Sequence, residues 1–438
     1  MQKRRLIPLA LLVLVLTLAL SGAAMAKVKI EFWHALGGAI GRDILTAFIN
    51  EFNASQDIVE VEAIYQGSYD DLLNKYILAL QAGDPPHLVH VYEIGTRRMI
   101  DLKATVPLQK FIDREPEILE HLVPNLLSYY TIDGQLHSIP FNSSNAILYY
   151  NKDMFREAGL DPERPPRTYS EFREYARRMT GNGKYGFGNY IYGWYFEQLL
   201  AVADAEYVNN GNGRLAPATA ATFNNERGVA ILQLFKDMKD DGSYLDTGRD
   251  GDALRAAFVS GQVAMRIGST GGFASTFADI GDRFELGAAF LPAPDDVEWG
   301  GVVIGGGSIW MTAGFSEEEE EAAWYFLKHL VSPESTAYWH INTGYFPVDR
   351  RALELPEVKA LHERYPQFRV AIDQLEASRQ TYATQGAVIG VFPEARKAIE
   401  EAMEYVLLGY MTPKEALDEA AAQVTAAIRR YNTQMGLK

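Results

Sequence analysis

Lys27-Val28-Lys29-Ile30-Glu31-Phe32-Trp33-His34 alternates apolar Val28, Ile30 and Phe32 with charged residues, the period of a strand. The period then changes, because Ile44, Leu45, Phe48, Ile49 and Phe52 fall on one face of a helix. Ile58 to Tyr65 reads as a second strand. Leu72, Leu73, Tyr76, Ile77 and Leu80 mark a second helical face. Gly83 suits the position just past that helix, where a left-handed residue ends it, and Pro85-Pro86 prevent continuation. His87 to Tyr92 is a third strand. The order strand, helix, strand, helix, strand predicts an α/β protein.

Further along, Ser316 can cap a helix whose first turn holds Glu317 to Glu321 and whose last turn holds Lys328 and His329. Those charges complement the helix dipole, so the glutamate run needs no other role. Thr412-Pro413-Lys414-Glu415 is a capping box with proline at the first helical position. It opens a long helix through Leu417, Val424, Ile428 and Tyr431, in which Ala420 to Ala422 allow close packing. The chain of 438 residues is long enough for two or more domains, yet no linker, repeat or low-complexity segment separates them. The chain is therefore expected to cross between lobes more than once.

The first residues carry Lys3-Arg4-Arg5, then an apolar run from Leu6 to Leu20, then Ala24-Met25-Ala26. This is the pattern of a cleaved export signal over 1–26, with Lys27 as the mature start. The apolar run is shorter than the roughly 20 residues of a spanning helix. Cysteine is absent, which excludes disulfides, thiolate metal sites, a cysteine nucleophile and a lipid-bearing cysteine after the signal. A freely diffusing periplasmic protein is expected. The formal net charge of −16, made more acidic when the basic signal is lost, argues against nucleic acid as a partner.

No H-E-x-x-H, P-loop, G-x-S-x-G or dinucleotide fingerprint occurs. The eight histidines are scattered, and His87 and His90, three apart on a strand, point to opposite faces. No catalytic residue, metal site or cofactor is expected, and the chain reads as a non-enzyme.

Several segments resemble family 1 of the extracellular solute-binding proteins of ATP-driven (ABC) importers. They are Tyr149-Tyr150-Asn151-Lys152-Asp153, Pro165-Pro166-Arg167-Thr168-Tyr169 and Gly261-Gln262-Val263-Ala264-Met265, in that order after an export signal. Other segments are similar to the branch of the family that binds glycerol 3-phosphate. They include Phe32-Trp33-His34, Tyr65 to Tyr69, Val91 to Thr96, Pro140-Phe141-Asn142-Ser143-Ser144, Ile304 to Trp310 and Thr343-Gly344-Tyr345. The resemblance implies a two-lobed flytrap fold that closes on its ligand and delivers it to membrane permease subunits, acting as a monomer. It places 27–141 with 270–315 in lobe one and 142–269 with 316–438 in lobe two. The hinges then lie near Phe141-Asn142, Ser269 and Phe315.

By the same resemblance the ligand contacts are Tyr69, Glu93, Ser144, Ser269, Gly306, Tyr345 and Arg396. Glu93, at a strand end, could accept hydrogen bonds from adjacent hydroxyls of a glycerol unit, or be a solvated loop residue or a member of a structural ion pair. Ser144 and Ser269 could donate to a phosphate oxygen, or satisfy their own turns. The Gly305-Gly306-Gly307 run lets backbone N–H groups approach an anion, or simply makes a tight turn. Tyr345 is a phenol donor or a packed core ring, and Tyr69 sits where it could close over the ligand. Arg396 offers a planar fork for phosphate, or pairs with Glu400 on its own helix. Tyr190, Tyr192 and Trp194 are candidate stacking rings, with core packing the equal alternative for each. Arg266 either adds a phosphate contact or faces solvent. The implied ligand is glycerol 3-phosphate or a diester such as glycerophosphocholine. A sugar ligand and, remotely, a secreted phosphodiester hydrolase are the competing functions.

Overall fold

The structure, a computed structural model, describes residues 26–437. The expected export signal lies outside the described residues apart from Ala26. The opening pattern forms as read. β1 (Val28–His34), α1 (Thr46–Ser55), β2 (Val59–Tyr65), α2 (Tyr69–Ala82) and β3 (Leu88–Tyr92) follow one another, and β1 runs parallel to both β2 and β3. One irregularity was not legible, a π-helical turn over Ile40–Leu45 that leads into α1. Gly83 ends α2 at φ 76°, its N–H reaching the carbonyls of Ala79 and Leu80.

The remaining strands are β4 (Thr105–Val106), β5 (Ile139–Pro140), β6 (Ala146–Asn151), β7 (Tyr185–Asn189), β8 (Tyr244–Asp246), β9 (Val263–Ser269), β10 (Leu286–Ala289) and β11 (Gly307–Thr312), apart from a short hairpin over 131–136. The first sheet has the order β2–β1–β3–β11–β4, with β5 also paired to β11. The second has the order β8–β7–β9–β6–β10. Each sheet is mixed. β11 is antiparallel to β3, and β6 is antiparallel to both β9 and β10. The chain leaves the first sheet between Pro140 and Ala146 and returns between Ala289 and Gly307.

The helices that matter for the site are α3 (Gly193–Val202), α4 (Gly251–Val259), α5 (Phe273–Ile280), α6 (Glu317–Leu330), α7 (Phe392–Leu407) and α8 (Pro413–Met435). Ser316 caps α6 as expected and in addition forms a capping box with Glu319, and Thr412 forms the expected capping box of α8 with Glu415. The helices α7 and α8 pack on each other and on the helix Glu226–Asp240 beside the second sheet. They do so through buried Ile399, Met403, Val424 and Ile428.

Two expected lobe assignments need correction. Residues 270–289 were placed in lobe one, but β10 pairs with β6 and closes an edge of the second sheet, so the chain does not cross at Ser269. The helix after Phe315 was placed in lobe two, but α6 packs on β1, β2 and β11 of the first sheet. The reason is visible in its apolar face: Phe326 lies 6.1 Å from Phe32 and 5.0 Å from Phe52, ring to ring. Each such buried phenyl ring contributes about 1.5–3 kcal/mol by leaving water. The chain therefore returns to the second lobe only after this helix, and Phe315 is not a crossing point.

Candidate functional site

Residues that follow β3 of the first sheet meet residues from helices beside the second sheet in one crevice, and the β3 end lies where open α/β folds bind ligands. Beyond β3 the chain turns through a short 3₁₀ segment, Glu93–Gly95, and the Glu93 N–H donates to the Gly306 carbonyl at 3.0 Å. This bond aims the Glu93 carboxylate, 4% exposed, across the crevice. Arg396 answers from α7. Its Nη2 donates to Glu93 Oε1 at 2.8 Å. Its Nε donates to Glu197 Oε1 at 2.7 Å, and Nη2 also donates to Glu197 Oε2 at 2.8 Å. Glu197 comes from α3, so the guanidinium is clasped by carboxylates from two different elements.

One cation between two anions leaves a formal charge of −1 in a buried place. Burial pushes the Glu93 and Glu197 carboxyls above the usual carboxylate range, and Arg396 offsets only part of that. Burial alone would lower Arg396, but Glu197 and Glu93 outweigh it and hold the guanidinium firmly charged. The rings of Tyr192 and Phe392 each lie 5.7 Å from the guanidinium carbon. The expected partner Glu400 is engaged elsewhere, accepting from the Gly193 N–H at 3.1 Å and from Arg249 Nη1 at 2.7 Å. The pairing of Arg396 with Glu400 is therefore not formed.

A second cluster is organised by Asn142. Its Nδ2 donates to the Tyr69 hydroxyl at 2.9 Å, and its Oδ1 accepts from the Gly307 N–H at 2.9 Å. His90 Nε2 lies 2.8 Å from the same oxygen. Burial drives the His90 pKa down to about 3, so the ring is neutral and Nε2–H is the donor. The Tyr69 ring stacks on Tyr92 at 5.2 Å. Burial, and next the neighbouring Tyr345 phenol, push the Tyr69 phenol well up. Burial also raises Tyr345, with the Asn142 amide pulling the other way. Tyr69, Tyr345 and Asn142 thus share one polar corner.

Gly306 is required by geometry. Its φ is +89°, and a Cβ there would lie 1.9 Å from the Asn142 carbonyl oxygen. Gly305 is equally confined, since a Cβ would meet the Trp194 ring at 2.3 Å. Ser144 is buried and exchanges two backbone hydrogen bonds with Gly305, at 3.0 and 2.7 Å. Ser269 accepts from the Gly271 N–H at 3.2 Å, the turn role weighed above. It approaches the cluster through Gly271, whose missing Cβ makes room for the Tyr345 ring. Of the aromatic candidates, Tyr190 and Tyr192 stack on each other at 5.7 Å, while Trp194 is buried against Gly305.

Two site residues were missed. Glu197 is an acid inside Gly193–Val202, every residue of which is buried, and that incongruity was a readable signal. Asn142 lay in the Pro140 to Ser144 run quoted for the resemblance but was taken for a hinge residue alone.

The two mixed sheets, the repeated crossings and the polar crevice between them define a two-lobed solute-binding protein. A family model described as bacterial extracellular solute-binding protein matches residues 47–370, and the chain belongs to that family. It is similar in particular to the sn-glycerol-3-phosphate-binding periplasmic protein UgpB of Pectobacterium atrosepticum. The two are 33% identical over 420 residues, covering 94% of each chain. The protein of the same name from Salmonella typhimurium is 32% identical over 426 residues, 95% of this chain and 96% of the other. Among solved structures, UgpB from Mycobacterium tuberculosis in complex with glycerophosphocholine superposes with a TM-score of 0.79 at 23% identity, covering 93% of this chain and 100% of that one. The cyclic α-maltosyl-1,6-maltose binding protein from Arthrobacter globiformis gives 0.76 at 25% identity, covering 92% and 100%.

Proposed function

We propose that the protein captures glycerol 3-phosphate or a glycerophosphodiester in its interlobe crevice and delivers it to the permease subunits of an ABC importer. It does so as a periplasmic monomer freed from its export signal, with no lipid anchor and no catalytic step. The observation that carries this reading is the meeting of Glu93 and Arg396 at 2.8 Å, two candidate contacts 303 residues apart in the chain. The full-length likeness to proteins named for glycerol 3-phosphate supports the ligand class.

The chemistry follows from the groups present. Glu93 accepts hydrogen bonds from the glycerol hydroxyls. Asn142, Tyr69 and Tyr345 supply a polar corner that can donate or accept. Ser144 and the backbone around Gly306 line the crossings, and Ser269 pairs with Ala146 at the end of one of them, so that an anion there can be met by N–H and O–H groups. A ligand that touches groups from both lobes binds the closed arrangement better than the open one. Binding then shifts the population toward closure, the state a transporter can recognise.

The test is calorimetric titration of the chain from Lys27, freed of endogenous ligand by partial unfolding. The titrants are glycerol 3-phosphate, glycerophosphocholine and maltose. One-to-one binding of a phosphorylated glycerol is expected. Binding of maltose alone would retain the flytrap and discard the ligand class.

A further inference from the structure

Arg266 does not face solvent. It sits on β9, opposite Gly188 of β7 and Tyr149 of β6, and is 7% exposed. Its side chain runs along the strand toward the crevice end. A Cβ placed on Gly268, two residues on, would lie 3.4 Å from the guanidinium carbon. The next residue is Ser269, whose carbonyl accepts from the Tyr149 hydroxyl at 2.6 Å. Tyr190 and Tyr195 lie within the field of the same cation, which works against the burial that raises their phenols.

What surrounds this guanidinium is unusual for its burial. The Tyr149 ring lies 4.5 Å away and the Phe258 ring 5.2 Å. Nη2 donates to Thr276 Oγ1 at 3.2 Å, while Nε is buried without a partner. Among the described residues no carboxylate lies within ion-pair distance. The nearby acid Asp279 is taken by Arg255. Other inward-facing arginines are satisfied: Arg214 donates to the carbonyls of Gly386, Ser128 and Gln385, and Arg396 to two carboxylates. Two aromatic faces only partly offset the lost hydration of a buried cation. The site lacks an anion, and although Arg266 is the middle residue of β9, its side chain carries the guanidinium level with Gly268, toward the strand's carboxyl end.

We infer that Arg266 is a phosphate-binding residue of the crevice, dividing the ligand with Arg396. The clasp of Arg396 by Glu93 and Glu197 already carries net negative charge, which suits hydroxyls or a cationic head group and opposes a phosphate dianion. Arg266, three residues before Ser269, without a carboxylate partner and with Nε unpartnered, carries the planar fork that phosphate oxygens fit. The inference rests on the ligand class proposed above and adds an anion subsite at the β9 end.

Glycerol 3-phosphate titrated into the wild type, Arg266→Gln and Arg266→Lys separates the possibilities. The Gln variant is expected to bind at least about 30-fold more weakly and the Lys variant to fall between, because lysine keeps the charge and loses the fork. Wild-type affinity should rise as pH passes the phosphate's second ionisation near about 6, and the Gln variant should lose that dependence. A Gln variant within twofold of wild type, with the pH dependence intact, overturns the inference and leaves the ligand class standing. A wild type that binds no phosphorylated glycerol overturns both. If the Gln variant does not fold, the Lys variant decides: weakening of about fivefold or more supports the subsite, and unchanged affinity removes it.

Discussion

Replacing Arg396 by methionine keeps an unbranched side chain in place and removes the cation from between Glu93 and Glu197. Three hydrogen bonds of 2.7–2.8 Å are lost together. At a charge separation of about 4 Å and an effective dielectric constant of about 20, each attraction is on the order of 4 kcal/mol. Protonation and water limit the net effect, and breaking a buried ion pair from one side costs about 3–5 kcal/mol. We expect the unliganded variant to be about 3–5 kcal/mol less stable than wild type at pH 8, read from guanidinium unfolding followed by tryptophan fluorescence. The sign of the pH dependence is also set. Burial already holds both carboxyls above their usual range, and without the arginine they rise further. A carboxyl whose folded pKa exceeds its unfolded value of about 4.3 takes up its proton first in the folded state. The variant therefore regains stability as pH falls through the folded pKa toward about 4.3. The gap to wild type should narrow by at least about 1.4 kcal/mol between pH 8 and pH 5. A loss below about 1 kcal/mol, or a gap that stays constant with pH, would refute the reasoning. It would mean that Arg396 spends the unliganded state away from both carboxylates.

Gly306→Ala should lower the melting temperature by several degrees and weaken ligand binding in thermal-shift titrations, because the added Cβ meets the Asn142 carbonyl at a backbone angle that disfavours side chains. Unchanged melting would show that the crossing relaxes freely. The buried histidines work against the glutamates on the pH axis. Burial lowers His34 to about 4, His90 to about 3 and His340 to about 4, below the usual value of about 6.5. The unfolded chain binds more protons in that window, so the stability these rings contribute is present above about pH 6.5 and is lost as pH falls through about 4. His340 also lies 2.8 Å from His362, ring nitrogen to ring nitrogen, which admits one shared proton. His340→Gln should therefore show a shallower loss of urea midpoint between pH 6.5 and 4.5 than wild type, and an equal slope would remove this ring from the explanation.

The opening βαβαβ unit was legible because each period is local: two residues per repeat in β1 and β2, and close to four in α1 and α2. Caps were legible for the same reason, since Ser316 and Glu319, or Thr412 and Glu415, are three residues apart. Sheet membership was not. Leu286-Gly287-Ala288-Ala289 carries nothing in its own pattern that chooses β6 over a strand of the first sheet, and the choice is made by pairing with residues more than 130 positions earlier. The same holds for α6, whose apolar face would fit either sheet until Phe32 and Phe52 are in place. At the site, Glu93 could be placed at a strand end, but the clasp around Arg396 joins residues 199 and 303 positions apart. Local reading offered Arg396 only its helical neighbour Glu400. Ser269 shows the opposite case, in which the plain turn role is the bond that forms.

The crossing segments and the candidate contacts are the same pieces of chain, and this bears on how binding is coupled to closure. The passage from Pro140 to Ala146 carries Asn142 and Ser144, and the return to Gly307 carries Gly305 and Gly306. The two passages are tied directly. Ser144 and Gly305 exchange backbone hydrogen bonds, Asn142 Oδ1 holds the Gly307 N–H, and the Gly306 carbonyl holds the Glu93 N–H. A rotation of one lobe about these strands must change the backbone angles of residues on either side of those bonds. A ligand that bonds to Asn142, or to the N–H groups near Gly306, restrains the same angles, while its far end engages Glu93 or Arg396. The ligand's differential affinity for the closed state then arises from two sources: contacts across the crevice and restraint of the crossings themselves. Trp194 strengthens the second, because its ring fills the space that Gly305 leaves open. A lobe cannot swing away without unpacking that ring from the crossing.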